Sequence, residues 1–157
     1  MEERATFASG CFWGVEEAFR TLPGVLETAV GFMGGLTEHP TYHQVCTGET
    51  GHAEVVDLRF DPTQISYAQL LERFWGKHNP TCRNYQGFDV GTQYRSAIFY
   101  HSDEQRRIAE ESMAALASSG KYAEPIVTEI TPAGPFWRAE EYHQQYVLKN
   151  KPRYTCG

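Results

Sequence analysis

The segment "ASGCFWGVEE" places Cys11 between Gly10 and Gly14, with Phe12 and Trp13 immediately after it. Glycines on both sides let other backbone or a ligand approach closely, and two large aromatics can wall a small apolar recess beside the sulfur. At a helix start the thiol would face the positive end of the helix dipole, which favours thiolate, the nucleophilic form. Glu16 and Glu17, read as first-turn residues, push the other way. On this stretch alone Cys11 is either a nucleophile or a small buried hydrophobe.

A second group suited to chemistry stands in "GHAEVVDLRF". Glu54 is in phase with Val56, Leu58 and Phe60, so it shares the apolar face of an alternating strand. A carboxyl facing a core resists ionisation, and its pKa should rise until it holds a proton near neutrality, as a general acid must. The alternative is a strand that begins at Val55 and leaves Glu54 in the loop. Tyr42 in "TYHQVC", and Asp89 and Tyr94 in "GFDVGTQYR", are either packing residues or polar groups at the same site.

Other patterns come to nothing. His39 and His43 are four apart, but Pro40 breaks the helix that would aim both at one metal. "CTGETGH" has the outline of a phosphatase cradle, yet His52 stands where the phosphate-clamping arginine belongs, which leaves Cys46 structural. "GFMGG" follows a strand but opens no helix, so it is not a nucleotide loop. Cys11, Cys46, Cys82 and Cys156 are widely separated, with no pair at zinc-knuckle spacing, so no metal site is expected.

These residues must be held by the elements around them. "RATFAS" reads as a strand, followed by a helix carrying Val15, Ala18, Phe19 and Leu22 and stopped by Pro23-Gly24. "VLETAVGFM" is a strand, then a loop runs from Gly34 to Gly51, and "AEVVDLRF" is a strand closed by Asp61-Pro62. Ser66 and Gln69 form a capping box for a helix with Tyr67, Leu70, Leu71, Phe74 and Trp75 on one stripe. A second long loop, "NPTCRNYQGFDVGTQ", precedes the strand "YRSAIFY". Ser102 and Gln105 cap the next helix, which buries Ala109, Met113 and Leu116 and ends at Gly120. A strand near "PIVTEI", a helix near "AEEYHQQYVL" and a polar tail follow. This order predicts an α+β two-layer sandwich: a ferredoxin-like, split βαβ core with a mostly antiparallel sheet and a C-terminal helical and tail extension. Loops this long in so short a chain are usually functional, and both should border the site.

The chain of 157 residues suits a single domain spanning 1–157. Its net charge of −6 argues against nucleic acid, and no segment is long and apolar enough for a membrane helix. No export signal is read at the N-terminus, so a cytoplasmic monomer with reduced thiols is the expectation.

"GCFWG", "TYHQVCTGETGHAEVV", "QGFDVGTQYRSAIFY" and "AEEYHQQYVLKN" occur in order over nearly the whole chain. Together they resemble the A-type methionine sulfoxide reductases. The resemblance implies reduction of the S-epimer of methionine sulfoxide, free or in proteins, with no bound cofactor. It makes Cys11 the nucleophile, Glu54 the acid for the sulfoxide oxygen, and Tyr42 and Tyr94 hydroxyl donors to that oxygen. Phe12 and Trp13 would hold the S-methyl group and Asp89 would line the substrate site. Cys11 would become a sulfenic acid, resolved by Cys156 into a disulfide that thioredoxin, or dithiothreitol in vitro, reduces. Cys82 departs from the family pattern and is an alternative resolving thiol. The second C-terminal cysteine of some relatives has no counterpart here. Two rivals remain: a cysteine hydrolase or transferase, for which only His52 lies in a site segment, and a non-catalytic module binding methionine-rich peptides. Neither would consume a dithiol.

Overall fold

A computed structural model describes residues 2–150. In chain order the elements are β1 (Glu3–Ser9), α1 (Phe12–Arg20), β2 (Val25–Met33), α2 (Tyr42–Cys46), β3 (Ala53–Phe60), α3 (Tyr67–Lys77), β4 (Tyr85–Gln86) and β5 (Asp89–Val90). A 3₁₀ turn at Thr92–Tyr94 leads into β6 (Ser96–Tyr100), α4 (Asp103–Ser118), β7 (Glu129–Pro132) and β8 (Trp137–Arg138). A second 3₁₀ turn, Glu141–His143, and α5 (Tyr146–Lys149) end the described chain. The main sheet has six strands in the order β7-β6-β1-β3-β2-β8. Every neighbouring pair is antiparallel except β6 and β7. β3 therefore lies between β1 and β2, and β1 lies between β3 and β6.

Alternation sorts the side chains. Ala5, Phe7, Val30, Phe32, Val56, Leu58, Phe60 and Ile98 share one buried cluster with Phe12, Val15 and Phe19 of α1, the apolar stripe of α3, and Ala109 of α4. Met33, Ala53, Val55, Ala97 and Phe99 point the other way, against Ala133 and Phe136. Phe7 stacks on Phe19 at 5.1 Å and meets Phe74 at 5.3 Å, tying β1 to both helices. Each such buried phenylalanine contributes roughly 1.5–3 kcal/mol. The predicted capping box of α3 is present in both directions, Gln69 N–H to Ser66 Oγ at 3.1 Å and Ser66 N–H to Gln69 Oε1 at 2.8 Å. Gly31 of β2 is required by close approach, because a Cβ there would strike the Trp137 carbonyl and the Phe136 ring.

Several expectations need correction. α1 stops at Arg20, so Leu22 lies beyond it, and neither Glu16 nor Glu17 is in the first turn. The first long loop contains α2, a five-residue helix with its own Thr41–Gln44 capping box. The second contains the β4–β5 hairpin and a 3₁₀ turn. The strand near "PIVTEI" runs from Glu129 to Pro132, further along, and β8 was not foreseen. The last helix is broken: Gln145 is left-handed at φ 52°, because its N–H donates to the Glu16 carboxylate at 2.7 Å.

Candidate active site

The site forms where β1 turns into α1. Gly10 has φ 106°, a conformation that lets the chain leave β1 and enter the helix at once. Cys11 is the residue capping α1, with extended ψ, and is half-buried. The free amide behind it is taken: Phe12 N–H donates to Glu54 Oε1 at 3.2 Å. Glu54 comes from β3, opposite Phe32, and its strand begins at Ala53, so it does face the helix layer.

Glu54 is 1% exposed, and its other oxygen, Oε2, has no hydrogen-bond partner among the described residues. Burial pushes its pKa up to about 8; the Phe12 amide opposes this, and the Asp89 charge adds to it. The carboxyl is therefore protonated at neutral pH, as a general acid must be.

Two phenols stand in the same field. Tyr42 is the first residue of α2, and its hydroxyl is hydrogen-bonded to the Cys46 thiol one turn on. Burial and the Glu54 charge push its pKa up strongly. Tyr94 closes the 3₁₀ turn after β5. Burial raises its pKa too, followed by the charges of Glu54, Cys46, Asp89 and Cys11. Both phenols keep their protons throughout the neutral range and can donate them in hydrogen bonds.

The aromatic pair is equally well anchored. Phe12 is buried and meets Phe32 at 5.7 Å, Tyr42 at 6.3 Å and His143 at 5.3 Å. Trp13 stacks flat on Tyr146 at 3.9 Å, and its Nε1–H donates to His143 Nδ1 at 2.8 Å. On another side, Cys11 opens into a cleft of about 340 Å³ lined by Gly14, Val15, Lys77, Phe88 and Asp89. A larger groove of about 720 Å³, between α1 and α3, holds no thiol and no buried acid.

Cys11, Glu54, Tyr42, Tyr94, Phe12, Trp13 and Asp89 are thus brought together. Cys82 is not among the cleft-lining residues; its thiol is hydrogen-bonded to Tyr85 at the base of the β4–β5 hairpin. Cys156 lies outside the described residues. Cys46, read as structural, is exposed beside Tyr42.

Histidine usage also differs from expectation. His52 braces the loop after β2, its Nδ1 accepting from Gly35 N–H at 3.0 Å and its Nε2 bonded to the Thr37 carbonyl at 2.7 Å. His143 is the histidine packed into the aromatic wall, and sequence reading did not single it out. The signal was there, two tyrosines flanking a histidine in "EYHQQY". His78 also lines the cleft beside Cys11. Its Nδ1 is bonded to the Phe74 carbonyl at 2.9 Å and its Nε2 to Ser96 Oγ at 2.7 Å, so both nitrogens already have partners. Burial lowers its pKa to about 4. No cluster of three His, Cys, Asp or Glu able to hold a metal ion occurs among the described residues. No helix among them is long and apolar enough to cross a membrane.

The chain is similar to known proteins over nearly its whole length. The family described as peptide methionine sulfoxide reductase matches residues 3–156. A peptide methionine sulfoxide reductase MsrA of Methanoculleus marisnigri is 64% identical over 147 residues, covering 94% of this chain and 90% of that protein. Methionine sulfoxide reductase A of Corynebacterium diphtheriae superposes with a TM-score of 0.86 at 41% identity, over 98% of this chain and 77% of that one. Mxr1 of Saccharomyces cerevisiae, solved in complex with Trx2, superposes with a TM-score of 0.58 at 26% identity, over 93% of this chain and 85% of that one. With buried acid, thiol and aromatic wall in one place and the match running almost end to end, the chain belongs to the peptide methionine sulfoxide reductase family.

Proposed function

We propose that this protein reduces the S-epimer of methionine sulfoxide, free or within polypeptides, to methionine. The carrying observation is the Glu54 carboxyl, buried, protonated up to about pH 8 and next to Cys11 through the Phe12 amide. Sulfoxide oxygen is a poor leaving group, and a thiolate can displace methionine only while that oxygen gains a proton. Cys11 Sγ attacks, Glu54 gives its proton to the oxygen, and the hydroxyl ends on Cys11 as a sulfenic acid. The substrate sulfur gains two electrons and Cys11 loses two. Tyr42 and Tyr94 donate to the same oxygen, Phe12 and Trp13 enclose the methyl group, and Asp89 lines the substrate site.

A second thiol then attacks Cys11, water leaves, and a disulfide remains for an external dithiol to reduce. Thioredoxin is the reductant of this reading, supported by the Mxr1–Trx2 complex, and no bound cofactor takes part. We assign the resolving role to Cys156. The strand order, with β3 inside the β1–α1–β2 unit and β1 inside the β3–α3–β6 unit, supports a ferredoxin-like two-layer scaffold. Residues 1–157 act on it as one catalytic domain, a cytoplasmic monomer. The commitment of both His78 nitrogens argues against the hydrolase reading.

Incubation with each sulfoxide epimer and dithiothreitol tests the proposal: methionine should form from the S-epimer alone, and absence of methionine from either would refute it. Tyr42→Phe and Tyr94→Phe, made singly, should each slow the first turnover modestly, since one hydroxyl covers for the other. The double variant should lose more than either, as read by single-turnover release of methionine.

Cys156→Ser should release close to one methionine per enzyme and then stall under thioredoxin, while Cys82→Ser should recycle normally. Peptide mapping of substrate-oxidised enzyme should find a Cys11–Cys156 bond. A Cys11–Cys82 bond, with thioredoxin turnover lost in Cys82→Ser, would reassign the role.

A further inference from the structure

Tyr94 ends a three-residue 3₁₀ turn whose backbone bonds run from Tyr94 N–H to the Gly91 carbonyl at 3.0 Å and from Arg95 N–H to the Thr92 carbonyl at 3.2 Å. So short a turn has poor hydrogen-bond geometry and does little to hold its own shape. The next side chain supplies what it lacks. The Arg95 guanidinium reaches back over the turn, and its Nη1 donates to the Thr92 carbonyl at 2.9 Å. Nη2 donates to the Gly51 carbonyl at 3.0 Å, and Nε donates to Glu129 Oε2 at 3.2 Å. One planar fork thus joins three segments distant in sequence, which a lysine ammonium on its flexible stem could not do. The Arg95 side chain is 13% exposed, and the Glu129 carboxylate balances its charge.

The anchor at Gly51 is itself held firmly. The Thr50 carbonyl before it accepts from Leu36 N–H at 3.0 Å, and the His52 ring after it is bonded to Gly35 N–H and to the Thr37 carbonyl. β3 begins at Ala53, directly after His52, and Glu54 is its second residue. The guanidinium therefore ties the turn that ends in Tyr94 to the entry of the strand that carries Glu54. We propose that Arg95 is a positioning residue that fixes the Tyr94 hydroxyl in register with the Glu54 carboxyl, so that both meet one sulfoxide oxygen. Arg95 touches no reacting atom: it lines a separate cavity of about 410 Å³ with His52 and Glu129 and is not among the residues lining the Cys11 cleft. The inference rests on the reading of Tyr94 as a donor to that oxygen.

Arg95→Met keeps most of the stem and removes every donor. The Glu129 it leaves behind is half exposed, and β6, which follows, is held by β1 and β7, so circular dichroism should not change. Single-turnover release of methionine should slow about threefold, within the size of one neutral hydrogen bond. In a Tyr94→Phe background the same change should cost less than about twofold, because the hydroxyl it places is gone. In a Tyr42→Phe background, where no second phenol covers for Tyr94, it should cost roughly tenfold. A merely structural role would slow all three backgrounds alike. Arg95→Lys keeps the charge but not the fork; it should show the same order of backgrounds with smaller losses, and it decides the matter if Arg95→Met does not fold. Hydrogen exchange without substrate is the second readout: the Tyr94 amide should exchange about tenfold faster in Arg95→Met, with that of Val56 in β3 unchanged. Equal slowing in the three backgrounds would overturn the proposal, as would a Tyr94 amide that exchanges at the wild-type rate in Arg95→Met. Because exchange is read without turnover, failure of wild-type enzyme to reduce sulfoxide would count against the reductase reading and not against the guanidinium clamp.

Discussion

Cys11→Ser is expected to bring methionine sulfoxide reduction to background. A serine hydroxyl has no accessible anion at neutral pH, and it is the thiolate that attacks. The substitution is nearly isosteric, and Cys11 makes no side-chain cap bond to α1, so the fold should survive unchanged in circular dichroism. Methionine released in a single turnover with dithiothreitol is the measurement. Appreciable release by the folded variant would move the chemistry to another thiol, with Cys46 the first to be tried because it stands beside Tyr42.

Glu54→Gln has the next largest expected effect, a loss in the first step on the order of 10²–10⁴, the range for a positioned general acid. The amide keeps the shape and can still accept from Phe12 N–H, but it has no proton to transfer. The wild-type single-turnover rate should fall as pH rises through about 8, where Glu54 loses its proton, and the Gln variant should lack that fall. Stability provides a second readout, at lower pH. Between the ordinary value of 4.5 and about 8 the folded chain holds a proton that the unfolded chain gives up, so stability declines as pH rises across that window. Glu54→Gln removes the decline. Denaturation at pH 5 and pH 8 should separate wild type and variant only at the upper pH. Wild-type activity in Glu54→Gln would show the residue to be structural.

What was legible in the sequence was local. β3 announces itself by the alternation of Val56 to Phe60, which is also what exposes Glu54 as a polar residue in phase with the apolar ones. α3 carries its own start signal and stripe. α2, β4 and β5 were hidden because elements of two to five residues cannot sustain a period. They exist through contacts made elsewhere, such as Tyr42 N–H to Glu140 and the Asn79–Gln86 bonds under the hairpin. The C-terminal helix was overread for the same reason. Its sequence favours continuous helix, but Gln144 and Gln145 spend their hydrogen bonds on β2 and Glu16 and force the break. That break places His143 against the wall, where the period of a continuous helix would not put it.

The unpartnered Glu54 Oε2 also has a consequence for how the proposed reaction would end. A protonated carboxyl with no acceptor among the described residues lacks one hydrogen bond, which on the proposed reaction a sulfoxide oxygen would supply on binding. Once the proton has been transferred Glu54 is a carboxylate, and the thioether of methionine has no N–H or O–H to offer it, so that contact is gone. Reactant and product have nearly the same shape and apolar surface, so the aromatic wall barely distinguishes them, whereas the buried acid does. On the proposed reaction product inhibition should be low, because removal of the oxygen also removes the contact that retained the molecule.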